Sequence, residues 1–303
     1  MQAVIFEEFG GPEVLGIQEV AEPHAGPRQT RIRVRAAGVN PIDFKVRRGW
    51  TKGFIDVTFP ATPGMEVAGV VDEVSEGSGL AVGDEVVGWS TTGAYAEYAI
   101  VGNVARKPAG LSWEQAVGLP IAGETAQRVL NELQVKEGET VLVHGAAGAV
   151  GSIAVQLAKT AGATVIGTAS PANHDFLRSL GVTPVEYGEG LVDRVRAVAP
   201  QGVDAVFDTA GQGVLKESIE LRGGTDRIVT IADFSAAELG VAASMGASAG
   251  PEEIAAGLTN QLEAAAAGEL QVRIAATFPL ADAGKAQELS ESGHARGKVV
   301  VLA

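Results

Sequence analysis

An apolar run that ends in a glycine-rich turn constrains the fold of this chain more than any other feature. Residues 141–151 read VLVHGAAGAVG, and the helical pattern SIAVQLAK follows directly. A strand, a tight turn and a helix in this order are typical of a βαβ unit. Such a turn either binds the phosphates of a nucleotide or only lets a helix pack closely on its strand. The turn alone fits both interpretations.

The spacing of the small residues favours the first interpretation. Ala146, Gly148 and Gly151 match the dinucleotide fingerprint, with alanine at the position of its first glycine. The chain must turn tightly, pass a pyrophosphate without a Cβ in the way and then pack a helix on the strand, while the helix amides attract the anion. We therefore predict cofactor contacts at Ala146, Gly148, Ala149, Val150 and Gly151.

Strand and helix patterns alternate around this turn, from about residue 112 onward. Ser112 and Gln115 form a capping-box pattern at the start of the first helical segment. The alternation predicts a parallel sheet that is covered on both faces. The predicted strands are TVLVHG, ATVIGT, TPVEY, DAVFDTAG and RIVTIAD, and the predicted helices lie near 150–161, 172–180, 189–199 and 212–221, with two more helices and a last strand, GKVVVLA, behind them.

The part of the chain before this alternation has a different character. RIRVRAAGV alternates charged and apolar residues, and GMEVAGVVDEV and GDEVVGW are β-branched runs separated by glycine. Both patterns predict short strands. We therefore expect an all-β unit first, and the length of 303 residues fits two domains.

Composition argues against several classes of function. The net charge of −14 disfavours nucleic acid and anionic membranes as partners, since both select for clustered Lys and Arg. The chain has no cysteine and four widely separated histidines, so we expect no metal site. The N-terminal segment lacks the pattern of a signal peptide, and no apolar stretch approaches the ~18 residues of a membrane span. We expect a cytoplasmic protein.

The end of the second predicted strand bears on which dinucleotide binds. An NAD site has an acidic residue there that holds the ribose hydroxyls. Here the first acidic residue after the predicted strand is Asp175. The hydrogen-bond donors Ser170, His174 and Arg178 stand in its place, beside Asn173, and favour the 2′-phosphate of NADPH. In the other interpretation Ser170 caps the next helix and Arg178 is a solvated surface charge.

Several motifs follow one another along the chain: GGPEVL (10–15), AAGVNPID (36–43), PGMEVAGVV (63–71), GDEVVG (83–88), GAYAEY (93–98), LPIAGETA (119–126), the glycine turn and HARGKVVVL (294–302). Together they resemble the medium-chain dehydrogenase/reductase superfamily. Within it the chain resembles the zinc-independent quinone oxidoreductase branch, which is related to ζ-crystallin.

The resemblance implies an α/β chain with two domains. A GroES-like, partly open β-barrel would span 1–113 and be completed by 269–303. A Rossmann-type doubly wound parallel sheet would bind NADP over 114–268, with the nicotinamide and a small-molecule substrate in the crevice between the domains. The segment 239–248 resembles the family's edge strand, which commonly pairs across a dimer, so we expect a homodimer.

Two departures from the zinc alcohol dehydrogenases of the superfamily bear on the chemistry. Those enzymes have a ligand cysteine where this chain has Asn40 and a ligand histidine where it has Met65. Glu66 remains, but one carboxylate does not make a catalytic zinc site. The resemblance therefore implies metal-free hydride transfer from NADPH to a quinone or an activated enone. An enoyl or 2-alkenal reductase and an NADPH-binding structural or sensing protein with little turnover are the alternatives.

The resemblance also assigns site residues. Asn40 and Asp43 would lie beside the nicotinamide as catalytic residues, although VNPID also fits a plain Asn-Pro turn. Thr125 would contact the cofactor, or be a buried helix hydroxyl. Tyr187 and His174 would lie near the 2′-phosphate, where His174 replaces a lysine of many relatives.

Four further positions keep two interpretations each. Arg296 and Lys298 either reach the cofactor or are solvated charges. Trp50 and Phe54, in the segment 47–60, either line the substrate pocket or cover the barrel.

No tyrosine has the lysine four residues later that a short-chain dehydrogenase needs, and we expect Tyr95 and Tyr98 to pack in the β-domain.

Overall fold

The structure is a computed structural model that describes residues 1–246 and 249–303. The chain forms two compact units, one of Met1–Ile121 with Ala249–Ala303 and one of Ala122–Ser248. The first unit is larger than the predicted 1–113 and 269–303, because the helix of Pro251–Ala266 packs against a barrel strand, Tyr98–Arg106.

The strands in the described ranges are β1 Gln2–Ile5, β2 Gly16–Glu19, β3 Thr30–Val39, β4 Glu66–Val74, β5 Glu85–Ser90, β6 Tyr98–Arg106, β7 Thr140–His144, β8 Thr164–Thr168, β9 Thr183–Val185, β10 Ala205–Asp208, β11 Ile228–Thr230, β12 Ala242–Ala243, β13 Ile274–Pro279 and β14 Lys298–Leu302. The helices are α1 Pro41–Arg47, α2 Trp113–Val117, α3 Pro120–Glu132, α4 Ala149–Thr160, α5 His174–Ser179, α6 Leu191–Val198, α7 Leu215–Arg222, α8 Pro251–Ala266 and α9 Ala283–Glu291.

The first unit is built on a sheet of order β13-β14-β3-β4-β5-β6 that β3 closes by pairing with β6 as well. One half of β3 thus pairs with β6, while its other half pairs with β14 from the end of the chain. Ile32 and Val34 of β3 are buried, whereas Arg33 and Arg35 are exposed, as the alternating pattern predicts. This is the predicted partly open barrel.

The second unit is an all-parallel sheet of order β12-β11-β10-β7-β8-β9. The chain runs outward from β7 to β9, crosses back to β10 and runs outward on the other side. Because parallel crossovers are right-handed, α4 and α5 cover one face of the sheet and α6 and α7 the other. The predicted doubly wound sheet is confirmed, and its topological switch point lies between β7 and β10.

The predicted helices of this region form within a few residues of their expected bounds, with one difference. The helical pattern that starts at residue 112 forms two helices, α2 and α3, since Pro120 has no N–H to continue the first and begins the second. The predicted capping box is present: Gln115 N donates to Ser112 Oγ at 3.2 Å and Ser112 N donates to Gln115 Oε1 at 3.4 Å.

Candidate active site

The glycine turn lies at the carboxyl end of β7, next to the switch point, where open parallel sheets bind their ligands. Gly145 has a φ of +70°, in the left-handed region that favours glycine. Gly148 N donates to Gly145 O at 2.9 Å and closes the turn. Directly after β10, the Thr209 hydroxyl donates to His144 O at 2.7 Å. The turn is therefore fixed to both central strands.

The small residues of the turn are required for different reasons. A Cβ on Gly151 would overlap the Gly145 carbonyl oxygen, so close packing of α4 on the turn excludes any side chain there. Ala146 is fully buried. Gly148 has an ordinary φ of −78°, and the protein atom nearest to an added Cβ is Gly145 O at 3.3 Å. Backbone conformation does not demand glycine at 148, and an added Cβ would make one tight contact, far less severe than that at Gly151, which fits a ligand that approaches the backbone closely.

The first turn of α4 offers donors to such a ligand. Gly148 is the N-cap, and in the described part of the chain no side chain caps the helix. The amides of Ala149, Val150 and Gly151 have no acceptor four residues earlier within the helix. They form the positive end of a helix of 12 residues. This arrangement can hold a pyrophosphate.

Each of the three predicted donors in the loop after β8 forms a hydrogen bond or ion pair with a residue near it in sequence. Ser170 Oγ accepts from Asn173 Nδ2 at 3.1 Å and caps no helix amide in the described ranges. His174 Nε2 donates to Ala169 O at 3.2 Å. Arg178 forms an exposed ion pair with Asp175, with 2.7 Å between Nη1 and Oδ1. The capping role considered for Ser170 is therefore not observed.

Tyr187 lies on the turn that follows β9, with 53% of its surface exposed. Arg194 holds this turn, since its guanidinium donates to the carbonyl oxygens of Glu186, Glu189 and Gly188 at 2.8–3.1 Å. Arg194 was not predicted, because an arginine on a helix surface carries no signal of the carbonyls that it binds.

His144, at the end of β7, is fully buried and hydrogen-bonded at both ring nitrogens. Nδ1 lies 3.2 Å from Thr168 Oγ1, and Nε2 lies 3.0 Å from Ser218 Oγ. Burial lowers the pKa of His144 to about 4, partly opposed by the nearby Asp208 carboxylate. A neutral histidine therefore lies directly beneath the glycine turn.

In the first unit, three predicted or noted residues meet in a buried cluster. Asn40 Nδ2 donates to Glu66 Oε1 at 2.7 Å, and Lys298 Nζ donates to Asn40 Oδ1 at 2.7 Å and also to Glu66 Oε1. Their exposed fractions are 5% for Asn40, 0% for Glu66 and 1% for Lys298. Lys298 is therefore not a solvated charge, and its ammonium bonds Asn40.

Asp43 lies one helical turn from Asn40 and is bonded to it. Its Oδ2 accepts from Asn40 N and from the Tyr95 hydroxyl, each at 2.9 Å. Burial raises the pKa of Asp43 to about 7, opposed by these two hydrogen bonds and by Lys298. The pKa of Tyr95 lies well above its usual range because the phenol is buried beside Asp43. Tyr95 thus packs in the β-domain, as expected, and also bonds a site carboxyl.

The other predicted residues lie as follows. Thr125 is buried in α3, and its hydroxyl donates to Glu124 Oε2 at 3.4 Å. Arg296 is exposed on the turn before β14. Trp50 is 61% exposed and packs edge-on against Phe44, while Phe54 is 92% exposed. The Phe54 ring therefore does not cover the barrel.

The residues that the structure describes, 1–246 and 249–303, bear on metal and membrane binding. They contain no group of three or more His, Cys, Asp or Glu side chains placed to hold a metal ion. Within the same ranges, no helix combines the length and apolar character needed to span a bilayer.

Comparisons with known proteins agree with this architecture. A family model described as alcohol dehydrogenase GroES-like domain matches residues 26–109, and one described as zinc-binding dehydrogenase matches residues 180–301. The quinone oxidoreductase of Lama guanicoe is 32% identical over 100% of this chain and 97% of its own length. The 2-methylene-furan-3-one reductase of Solanum lycopersicum is 37% identical over 76% of this chain and 62% of its own length.

A solved structure extends the likeness to the whole fold. The Escherichia coli quinone oxidoreductase complexed with NADPH is 26% identical, covers 100% of both chains and has a TM-score of 0.89. A barrel unit and a doubly wound unit with a dinucleotide turn define an oxidoreductase of the medium-chain dehydrogenase/reductase class. Within that class, the chain belongs to the zinc-independent quinone oxidoreductase family.

Proposed function

We propose that this chain is an NADPH-dependent reductase that transfers hydride to a quinone or an activated enone without a metal. The observation that carries the proposal is Gly148, which lacks a side chain at the start of α4 although its φ is ordinary and an added Cβ would meet only the Gly145 carbonyl oxygen, at 3.3 Å. The full-length likeness to a quinone oxidoreductase and the NADPH in a relative of the same fold support it.

The residues of the second unit fit the cofactor's pyrophosphate. Its negative charge would lie at the amides of Ala149, Val150 and Gly151, with Gly148 in close approach. Ala146 is buried and shapes the turn. When bound, the cofactor supplies the hydride, and the protein supplies position and electrostatics.

The loop after β8 fits a 2′-phosphate better than free ribose hydroxyls. Arg178 is held by an exposed i,i+3 pair with Asp175, and such pairs contribute roughly 0–1 kcal/mol. The guanidinium can therefore exchange that carboxylate for a phosphate. Ser170, His174 and the exposed Tyr187 complete the proposed phosphate site.

In the first unit, Asn40 and Asp43 are the proposed catalytic residues. The Asn40 amide forms hydrogen bonds with Lys298 and Glu66, and its second N–H can donate to the carbonyl oxygen of the quinone or enone. Reduction of a quinone or enone also requires a proton. Asp43, with its pKa raised to about 7, carries one in a large share of molecules at neutral pH and is proposed as its source.

Three predicted contacts belong to the same proposal. Thr125 and Arg296 remain candidate cofactor contacts. Lys298 is assigned to the support of Asn40, since its buried ammonium donates to Asn40 and to Glu66.

Reduction of a carbon–carbon double bond is a second candidate. The tomato relative, 37% identical over three quarters of this chain, is named for an enone substrate. A polarised double bond conjugated to a carbonyl accepts hydride by the same chemistry as a quinone.

A panel of acceptors separates these activities. Oxidation of NADPH is followed with 1,4-benzoquinone, a 2-alkenal and an enoyl thioester, and the products are identified. We expect turnover of the quinone, with none by the matched variant Gly148→Val. Turnover confined to the alkenal would support double-bond reduction. Tight NADPH binding without turnover of any acceptor would support a structural or sensing role and overturn the proposed activity.

We also propose a cytoplasmic homodimer that forms along β12. This strand pairs with β11 on one side and lies at the edge of the sheet. Part of the predicted edge segment, residues 247–248, lies outside the described residues. Light scattering tests the proposal. Ser244 N donates to Thr230 O of β11, so the N–H of Ala243, the preceding residue, faces the open edge. Ala243→Pro removes that N–H and is expected to yield monomers. A monomeric wild-type protein would refute the dimer.

A further inference from the structure

A buried histidine that the proposed chemistry does not use lies next to the cofactor turn. We propose that His144 is a positioning residue, which holds the glycine turn in its binding geometry through the Thr168 hydroxyl. The inference rests on the proposed binding of NADPH at this turn. It concerns the cofactor's affinity and leaves hydride transfer itself to other residues.

The hydrogen bonds around His144 have one consistent direction. The Ser218 hydroxyl donates to Val214 O at 2.7 Å, so its oxygen accepts from His144 Nε2 at 3.0 Å. Nε2 then carries the ring's hydrogen, and Nδ1 is an acceptor. The Thr168 hydroxyl therefore donates to Nδ1 at 3.2 Å.

Thr168 connects His144 to the glycine turn through two hydrogen bonds. Its Oγ1 accepts from Gly145 N at 3.3 Å, and its carbonyl oxygen accepts from Ala146 N at 3.1 Å. The last residue of β8 thus holds the first two amides of the turn. Without an acceptor at Nδ1, the Thr168 hydroxyl is free to rotate and to present its hydrogen, instead of a lone pair, to Gly145 N.

The position of Gly145 makes this contact consequential. Gly145 has a φ of +70°, and its carbonyl oxygen accepts the Gly148 amide that closes the turn. A shift at Gly145 therefore moves Gly148 and the start of α4 together. The proposed pyrophosphate donors are the amides at that start, so their direction depends on the bond from Gly145 to Thr168.

Two amide substitutions at His144 separate its hydrogen bond to Thr168 from its hydrogen bond to Ser218. In His144→Asn, the side-chain amide can place an acceptor near the position of Nδ1 and keep the bond to Thr168. In His144→Gln, the longer amide can place a donor near the position of Nε2 and keep the bond to Ser218. Each variant retains one hydrogen bond of the two, so each controls for the other.

The measurement is the dissociation constant of NADPH and of NADH, with the free energy of unfolding in urea measured alongside. We expect His144→Gln to raise the dissociation constants of both nucleotides about tenfold, as the loss of one well-placed hydrogen bond does. The dissociation constants of His144→Asn should stay within about threefold of wild type. Both nucleotides should change by the same factor, because they share the pyrophosphate. A purely structural histidine would lower stability in both variants and leave both affinities unchanged.

Thr168→Val provides a second, independent route. It removes the bridging hydroxyl and should weaken binding as His144→Gln does, and the double variant should bind no more weakly than either single one. Independent, additive losses would overturn the inference, as would a loss confined to NADPH. If wild-type protein binds neither nucleotide, the proposed function fails; if all variants bind like wild type, only this inference fails.

Discussion

The ammonium of Lys298 donates to the side-chain oxygen of Asn40 at 2.7 Å, although the two residues are 258 positions apart in the chain. Glu66 accepts from the amide nitrogen of Asn40 and from the same ammonium. Because lysine only donates and an ionised carboxylate only accepts, the Asn40 amide has one defined orientation. The last strand therefore orients a proposed catalytic residue at the N-cap of the first helix.

Breaking this buried ion pair should destabilise the first unit. Lys298→Met leaves Glu66 as an unpaired buried charge and should cost about 3–5 kcal/mol of unfolding free energy. Lys298→Met with Glu66→Gln should cost less than the sum of the single changes, since neither charge then remains. Urea unfolding provides the measurement. Lys285→Met, which removes an exposed lysine paired with Asp282, is the control; an equal cost there would contradict the argument.

Asp43 should make stability depend on pH. Its pKa rises from 3.8 when unfolded to about 7 when folded, mainly through burial. The folded state then holds more protons, and this contribution is lost as the pH rises through that window, by about 4 kcal/mol. Asp43→Asn keeps an acceptor without the titration, so the variant should gain stability relative to wild type between pH 4 and pH 7, in about that amount.

A second change at the same carboxyl tests this explanation. Tyr95→Phe removes a hydrogen bond that stabilises the Asp43 carboxylate, so the pH at which stability is lost should move upward. Unfolding by urea at a series of pH values measures both variants. A pH dependence that Asp43→Asn leaves unchanged would exclude Asp43 as its source.

The two glycines of the turn should respond in opposite ways. Gly151→Ala brings its Cβ onto the Gly145 carbonyl oxygen, so it should destabilise the protein by roughly 1–3 kcal/mol. Gly148→Val places its Cβ 3.3 Å from the same oxygen, a tight contact but not an overlap, so it should cost less stability than Gly151→Ala, about 1 kcal/mol, while abolishing NADPH binding. Calorimetry measures affinity and stability for both. Unchanged affinity of Gly148→Val would remove the pyrophosphate from this turn.

The order of strands and helices was predictable because it depends on local patterns. The run before Gly145 and the alternation in β3 carry their periodicity in neighbouring residues. The break at Pro120 could also have been predicted, since proline has no amide to donate. The motifs added the barrel and the site positions by resemblance.

The partners of the site residues could not be predicted in the same way. Lys298 reaches Asn40 only because β14 pairs with β3 in one register, with Val299 opposite Val39. A lysine and a glutamate beginning apolar strands are a signal that each charge needs a buried partner, but they do not identify it. His144 gave the same kind of signal at the end of an apolar run.

The preference for NADPH should depend on Arg178. In Arg178→Ala the 2′-phosphate loses its charged donor, so NADPH affinity should fall about tenfold and NADH affinity should stay the same. Arg196→Ala removes a comparably exposed arginine, paired with Glu220 on another surface, and controls for net charge. Titrations with both nucleotides measure the ratio. A ratio that Arg178→Ala does not change would exclude Arg178 from the site.

His144 should add a contribution to stability that is lost in acid. Its pKa falls from 6.5 when unfolded to about 4 when folded, mainly through burial. The unfolded state then binds more protons in that window, so this contribution is lost as the pH falls from about 6.5 to 4, by about 3 kcal/mol, and it opposes the contribution of Asp43 over the same range. His144→Asn has no such titration and should lose correspondingly less unfolding free energy as the pH falls. Ser218→Ala keeps the imidazole buried and should retain the acid dependence, so a flattened profile in this control would assign the effect to another group.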